Sequence, residues 1–386
     1  MKGFPFDHQT SIVVFWGIML AVGITNIWFI PKLGFRTEPS RWPKVSILVP
    51  ARNESENIEP CVQSLLAQDY PNFEVLVLDD HSTDDTWQKL EKLAVQNPLL
   101  RVIRGLPLPE GFLGKHWACH QLAQAAEGEL LLFTDADTRH APHALRSAVG
   151  MLIAENAGFL TAFPRQEVVS WGERLTVPML LFSLFAFFPI GLARLLQTPL
   201  LSISIGQFML FRRSAYEAIG GHEAVKNSPV DDIDLGRLVV KHRLRWVLAD
   251  ASGHVSCRMY RGLAEAVDGF SKNLFAFFGF RALEYLFIWG WTLLIVWEPL
   301  LVLGLRAFGL EAAGFSAVPA GTAVGECLAL WSIVVWRFKL PKSLLLVYPL
   351  AVIVFCAIAL RSMVLTVRGG TSWKGRPLKR YRFRWF

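Results

Sequence analysis

The sequence predicts an α/β domain on a mostly parallel sheet, framed by transmembrane helices at the N-terminus and in the C-terminal third. Three observations carry this. An apolar run of about twenty uncharged residues lies near the N-terminus. From Lys44 to Gly279 short buried-strand patterns alternate with amphipathic helix patterns. Beyond Glu284 apolarity returns in three blocks.

The elements follow in order. Ser11 to Ile30 is long enough for one transmembrane helix, and its flank lacks a small-residue cleavage pattern, so residues 11–30 read as an anchor. Pro31, Gly34, Pro39 and Pro43 make a linker. Residues 44–279 form one domain of ordinary size. Within it Val45–Pro50 reads as a buried strand, Ile58, Val62, Leu65 and Leu66 as one helical face, and Phe73–Leu78 as a second strand. Ser82, with Asp85 three residues on, resembles a capping box for a helix carrying Trp87, Leu90 and Leu93. Leu100–Ile103 and Leu130–Thr134 add two strands. The apolar segment 176–211 is interrupted by Pro178, Pro189 and Pro199, which fits an interfacial or re-entrant helix pair. Tyr285–Leu305, Val318–Trp336 and Leu344–Leu360 give about three transmembrane helices in residues 285–361, and residues 362–386 form a basic tail.

Composition limits the alternatives. With 53% hydrophobic residues in 386, disorder is excluded, and a core of this size covers only part of the apolar surface, so a bilayer must cover the rest. Cys61, Cys119, Cys257, Cys327 and Cys356 are scattered, with no disulfide framework and no zinc spacing. The net charge of +7 is concentrated at the carboxyl end, where Arg361, Arg368, Lys374, Arg376, Lys379, Arg380, Arg382 and Arg384 supply eight positive charges. Lys32, Arg36, Arg41 and Lys44 follow the first helix and only Lys2 precedes it, which puts the α/β domain in the cytoplasm of a multi-pass cell-membrane protein. Three crossings after that domain would carry the basic tail outside, against its charge. Either one late block does not span or a fourth crossing lies between Phe308 and Trp336, and the tail charge weighs more than the helix count.

The informative side chains lie at strand ends. The first strand ends in Pro50-Ala51-Arg52-Asn53-Glu54, the second in Asp79-Asp80-His81-Ser82, and a later one in Asp135-Ala136-Asp137, so the tips meet in one crevice. There is no G-x-G-x-x-G and no Walker lysine loop, which removes support from dinucleotide and P-loop readings. Asp135 and Asp137, two apart on an extended segment, present two hard oxygen ligands with room for Mg²⁺ or Mn²⁺ bridging a diphosphate, although most such triplets are solvated turn acids. A carboxylate at the tip holding Asp80 can accept from a ring N–H or a ribose hydroxyl, whereas Asp84 and Asp85 read as helix-capping acids. Asp231-Asp232-Ile233-Asp234 opens an amphipathic stretch where a helix N-terminus favours acids in any case.

The order of these motifs resembles the family 2 inverting glycosyltransferases of GT-A fold. Pro107-Leu108-Pro109, Gly114-Lys115-x-Trp117, Glu173-Arg174-Leu175, Gly206 to Arg213, Gly220-Gly221-His222, Arg258-Met259-Tyr260, Gly269 to Asn273 and Trp373-Lys374-Gly375-Arg376 are similar to the membrane-bound subgroup that glycosylates carotenoids, of the chlorobactene glucosyltransferase type. Hopanoid-associated enzymes are similar in the first half. The Q-x-x-R-W signature of processive relatives is absent, which disfavours a polysaccharide synthase.

The resemblance implies that Pro50, Arg52, Glu54 and Asp80 frame the nucleoside. Asp135 and Asp137 would hold sugar, diphosphate and metal, and Asp232 would be the general base; Lys115, read as lying in a Gly-rich loop, either contacts the diphosphate or is simply solvated. The expected reaction is transfer of a sugar, glucose from a UDP-sugar, to a hydroxyl of an apolar membrane lipid, a carotenoid or other isoprenoid, with Mg²⁺ or Mn²⁺ and no nucleic acid. A hopanoid or other lipid acceptor, or a non-catalytic lipid-binding scaffold, stands as the alternative. A crossing within residues 176–211 would separate the metal acids from the base, so both flanks are expected on one face. Its phenylalanines line a lipid route or simply dock the domain on the membrane. A transporter would place polar residues inside its spans, where Glu298 and Glu326 are almost the only acids.

Overall fold

A computed structural model describes residues 7–34, 41–310, 314–370, 372–373, 376–377 and 383–385. Lys2, Arg36, Pro39, Lys374, Gly375, Lys379, Arg380 and Arg382, which entered the charge, linker and motif arguments, lie outside them. Helix α1 (His8–Phe29) opens on Asp7, whose side chain accepts the Thr10 N–H at 2.7 Å. The α/β domain then runs β1 (Val45–Ala51), α2 (Ile58–Leu66), β2 (Phe73–Asp79), α3 (Thr86–Gln96), β3 (Leu100–Arg104), α4 (Gly114–Ala125), β4 (Leu130–Phe133), β5 (Thr138–His140), α5 (Ala144–Ala154), β6 (Phe159–Phe163) and β7 (Arg165–Gln166). After the short α6 (Trp171–Arg174) come α7 (Val177–Phe187), α8 (Ile190–Leu196), β8 (Met209–Arg212), α9 (Arg213–Ala218), α10 (Gly221–Ala224), α11 (Asp231–Lys241), β9 (Trp246–Asp250) and β10 (Val255–Cys257).

The main sheet has the order β3-β2-β1-β4-β8-β6-β9. All of its pairings are parallel except those of β8, which runs antiparallel between β4 and β6. β1, β2 and β4 are runs of Val, Leu and Ile because helices or membrane-side elements cover both sheet faces. Their register sets Ala51 against Asp79 and Leu48 against Phe133, which brings the carboxyl ends of three strands side by side. A small sheet, β5-β10-β7, stands beside that edge.

Sequence and structure part company locally. α3 begins at Thr86 with Asp85 at its N-cap, and Ser82 caps nothing: its Oγ accepts the Asn53 N–H at 2.9 Å, binding the β2–α3 loop to the β1–α2 loop. The segment 176–211 is two helices, α7 and α8, with a 55° bend between the α6–α7 unit and α8, followed by a stretch that enters the main sheet as β8. Its last apolar residues, Phe208 to Phe211, are thus core of the α/β domain.

The C-terminal third comprises α12 (Leu263–Phe277), α13 (Ala282–Ala307), α14 (Ala317–Arg337), α15 (Leu344–Arg368) and a hairpin of β11 (Ser372–Trp373) with β12 (Arg376–Pro377). Among the described residues four helices, α1, α13, α14 and α15, are long and apolar enough to cross a membrane. α1 and α14 run side by side, with Gln9 bonded to Ser316 at one end and the Ile30 carbonyl accepting from Arg337 at 2.8 Å at the other. Arg337 also meets Asp250 at 2.8 Å, both side chains almost fully buried, and this fixes that end of the bundle on the α/β domain.

Candidate active site

Every residue singled out by the sequence, Pro50, Arg52, Glu54, Asp80, Lys115, Asp135, Asp137 and Asp232, lines one cavity of about 1590 Å³. It opens at the carboxyl ends of β1, β2 and β4, where an α/β sheet leaves its ligand crevice. At the β1 tip, Asn53 adopts the left-handed backbone, φ 52°, and its Oδ1 accepts the Thr83 N–H at 2.8 Å. This ties the two loops together and holds Arg52 with its guanidinium on the carbonyls of Asp80 and His81. The Asp80 carboxylate, 3% exposed, takes two hydrogen bonds from Arg376.

Asp135 and Asp137 occupy a turn between β4 and β5, with the Thr138 N–H donating to the Asp135 carbonyl at 3.2 Å, and not the extended segment the two-residue spacing suggests. They still act on each other electrostatically. Burial first, then the charges of Asp135 and Glu54, push the Asp137 carboxyl up to about 7. Asp137 Oδ1 is buried without a hydrogen-bond partner among the described residues, an acceptor that a hard cation fits. No group of three side-chain ligands converges there among the described residues, so a cation would be completed by non-protein oxygens.

Lys115 sits in the first turn of α4 and not in a loop. Its Nζ lies 2.6 Å from Asp135 Oδ1. Burial opposes its charge, and Asp135 and Asp231 outweigh it, so the ammonium titrates well above its ordinary value.

Asp232 stands on the first turn of α11. Its Oδ2 accepts the Gly206 N–H at 3.0 Å and its Oδ1 the Ile233 N–H at 2.8 Å. A Cβ at position 206 would lie 3.2 Å from that Oδ2, so glycine lets the backbone approach the carboxylate. Burial, and next the charge of Asp231, raise Asp232 to about 7, the range a general base needs at neutral pH.

Asp231 behaves oppositely. Burial pushes it up, but His116, with Nε2 at 3.4 Å, and Lys115 hold it well below the carboxylate range. His222, which burial keeps neutral with a pKa of about 3, lies on the other oxygen at 3.9 Å and is oriented by the Tyr216 hydroxyl at 2.8 Å. Two adjacent acids pushed apart in this way form an ionised anchor and a proton acceptor. Sequence reasoning assigned no role to His116 or His222. No metal spacing flags them; the available signals are that both fall in the motifs of the resemblance, His116 directly after Lys115 and His222 closing Gly220-Gly221-His222.

From the acids the cavity continues into an apolar bore between Phe15 and Trp16 of α1, Phe182 of α7, Trp289 of α13, Trp331 of α14 and Phe355 of α15.

Comparison with known proteins agrees with this geometry. Residues 46–220 match Glycosyl transferase family 2. Over 157 residues the chain is 33% identical to the beta-monoglucosyldiacylglycerol synthase of Nostoc sp. (strain PCC 7120), covering 38% of this chain and 33% of that protein. Over 233 residues it is 24% identical to the 4,4'-diaponeurosporenoate glycosyltransferase of Staphylococcus haemolyticus, covering 60% of each. The chain thus spans a third to three fifths of these relatives. The mannosyltransferase PcManGT from Pyrobaculum calidifontis, solved with GDP-Man and Mn²⁺, superposes with a TM-score of 0.53 at 18% identity over 92% of this chain and 98% of that one. Residues 46–220 thus resemble family 2 glycosyl transferases, and the fold is GT-A.

Proposed function

We propose that the chain is an inverting glycosyltransferase that moves a sugar, glucose in the leading reading, from a UDP-sugar to a hydroxyl of an apolar membrane lipid, a carotenoid or other isoprenoid. The observation that carries this is the continuity of one cavity from the buried acids to an aromatic bore among the long apolar helices. A water-soluble acceptor needs no such bore. The relatives named above, one a glucosyldiacylglycerol synthase and one a diaponeurosporenoate glycosyltransferase, support a lipid acceptor.

In this reading Pro50, Arg52, Glu54 and Asp80 hold the nucleoside at the tips of β1 and β2. Asp135 and Asp137 would hold a divalent cation, Mg²⁺ or Mn²⁺, which when bound neutralises the leaving diphosphate. Lys115 adds a second positive charge beside Asp135. The acceptor hydroxyl lies at the mouth of the bore, and Asp232 takes its proton as the oxygen attacks the anomeric carbon from the face opposite the diphosphate. The bond from anomeric carbon to phosphate oxygen breaks, its electron pair leaves with the nucleotide, and the configuration inverts. Asp231, held ionised by His116 and Lys115, keeps Asp232 basic enough for that transfer.

Thr292 of α13 lines the bore, far in sequence from the acids. Thr292→Trp should reduce glycolipid formation by about tenfold or more while leaving nucleotide affinity unchanged, because it blocks acceptor positioning only. Full glycolipid formation by a variant with the bore filled would contradict the lipid assignment.

A further inference from the structure

The nucleotide end of the cavity is closed by a residue from the other end of the chain. Arg376 lies 296 positions from Asp80, yet its Nη1 donates to Asp80 Oδ2 at 2.6 Å and its Nη2 to Oδ1 at 3.1 Å. It sits on the β11–β12 hairpin and lines the same cavity as Asp135 and Asp232. The tail is anchored on both sides of this contact. Before it, α15 ends at Arg368, with Arg361 held by Asp268 of α12 at 2.7 Å. After it, Arg384 accepts the Ala282 N–H at 2.8 Å through its carbonyl and donates its own N–H to the Phe280 carbonyl at 2.8 Å. Arg376 thus reaches the cleft between two anchored stretches of described chain.

The charges around the cleft give that guanidinium a use. Glu54, Asp80, Asp135, Asp137, Asp231 and Asp232 all line the cavity, and a nucleoside diphosphate would bring further negative charge into it. Of the other cations there, Lys115 is engaged with Asp135, Arg52 with the backbone carbonyls of Asp80 and His81, Arg258 with Glu173, Arg261 with Glu56 and Arg361 with Asp268, while Lys272 lies on α12. Arg376 presents a planar fork that fits a carboxylate and a phosphate equally well, on a segment that is not part of the sheet.

We propose that Arg376 acts as a strap completing the donor site: held on Asp80, its guanidinium engages the anionic nucleoside diphosphate when the donor enters. The strap covers the diphosphate before Asp232 acts. This rests on the nucleotide-sugar reading of the cleft. It adds that residues outside the family 2 match belong to the donor site.

The test is UDP binding to the full-length protein in detergent, by calorimetry, with wild type, Arg376→Ala and Arg376→Lys. The strap predicts that Arg376→Ala weakens UDP about tenfold or more, the scale of a lost charge-assisted fork, and that lysine restores only part of it. Unchanged or tighter UDP binding in Arg376→Ala would overturn the strap, tighter binding marking the tail as a competitor. Absence of UDP binding by wild type would instead overturn the donor reading beneath it. A second measurement needs no substitution: UDP should slow amide hydrogen exchange in the Ser372–Pro377 hairpin of wild type, and exchange unaltered by bound UDP would also overturn the strap.

Discussion

Asp232 and Asp231 are neighbours in sequence with opposite electrostatic fates, and the chemistry turns on that difference. Asp232→Asn keeps the shape of the site and removes the proton acceptor, so transfer should fall by about 10²-fold or more while UDP affinity holds. The sign of the pH dependence follows from the raised pKa. Below about 7 Asp232 is protonated and inactive, so kcat/KM should rise with pH and reach half its plateau near 7. Asp231→Asn removes the like charge that lifts Asp232, so the midpoint should move to lower pH in a pH–rate profile. A midpoint that stayed in place would detach Asp231 from the base. The acids were singled out by the order of the motifs that hold them, since a carboxylate at a turn or a helix start is expected in any case. The pairing of His116 with Asp231 was not, because it joins α4 to α11 across more than a hundred residues with no repeated spacing to announce it.

At the scale of elements, strand patterns were the most legible feature, since buried parallel strands leave continuous apolar runs. The β8 strand was hidden inside a longer apolar segment, because a core strand and a membrane-facing helix draw on the same residues. The helix bearing Lys115 escaped notice because its sequence, GKHWACHQLAQA, has a weak apolar period and no side-chain cap. The β1–β4 pairing makes a stability prediction. Gly128 precedes β4 and packs on β1, where a Cβ would meet Ser46 N at 2.5 Å and Ser46 Oγ at 2.7 Å. Its N–H also donates to that Oγ at 2.7 Å. Gly128→Ala therefore has to spread the sheet edge and should cost about 1–3 kcal/mol. A thermal midpoint within experimental error of wild type would show that the strands yield more easily than this contact implies.

Across the whole molecule, the position of α15 bears on the conflict between tail charge and helix count. The helix begins seven residues after Arg337, which is bonded to Asp250, and it ends in the tail that reaches Asp80. Between those points it packs along α12 and α13, with the Tyr285 hydroxyl on the Ala359 carbonyl at 3.0 Å and the Phe275 N–H on Ser362 Oγ at 3.0 Å. Both flanks of α15 thus lie toward the α/β domain, and although α15 is long and apolar enough to cross, we propose that it lies along the membrane face while α1, α13 and α14 cross. Cysteines placed at Lys342 and at Arg368 should both react with an impermeant thiol reagent only after cells are opened. Labelling of Arg368→Cys in intact cells would restore a fourth crossing. The segment between Asp137 and Asp232 obeys the same geometry: the acids on its two flanks line one cavity, so cysteines at Arg165 and Asn227 should share one side.

The central claim is that one cavity receives a nucleotide-sugar at its acidic end and a lipid hydroxyl at its apolar end. The most direct measurement supplies the purified chain in liposomes of isoprenoid-containing lipid extract with UDP-[¹⁴C]glucose and a divalent cation, then partitions the label between organic and aqueous phases. Label is expected in the organic phase for wild type and to be lost from it in Asp232→Asn; label released only into water as free sugar, or organic-phase label undiminished in Asp232→Asn, would rule out the shared cavity.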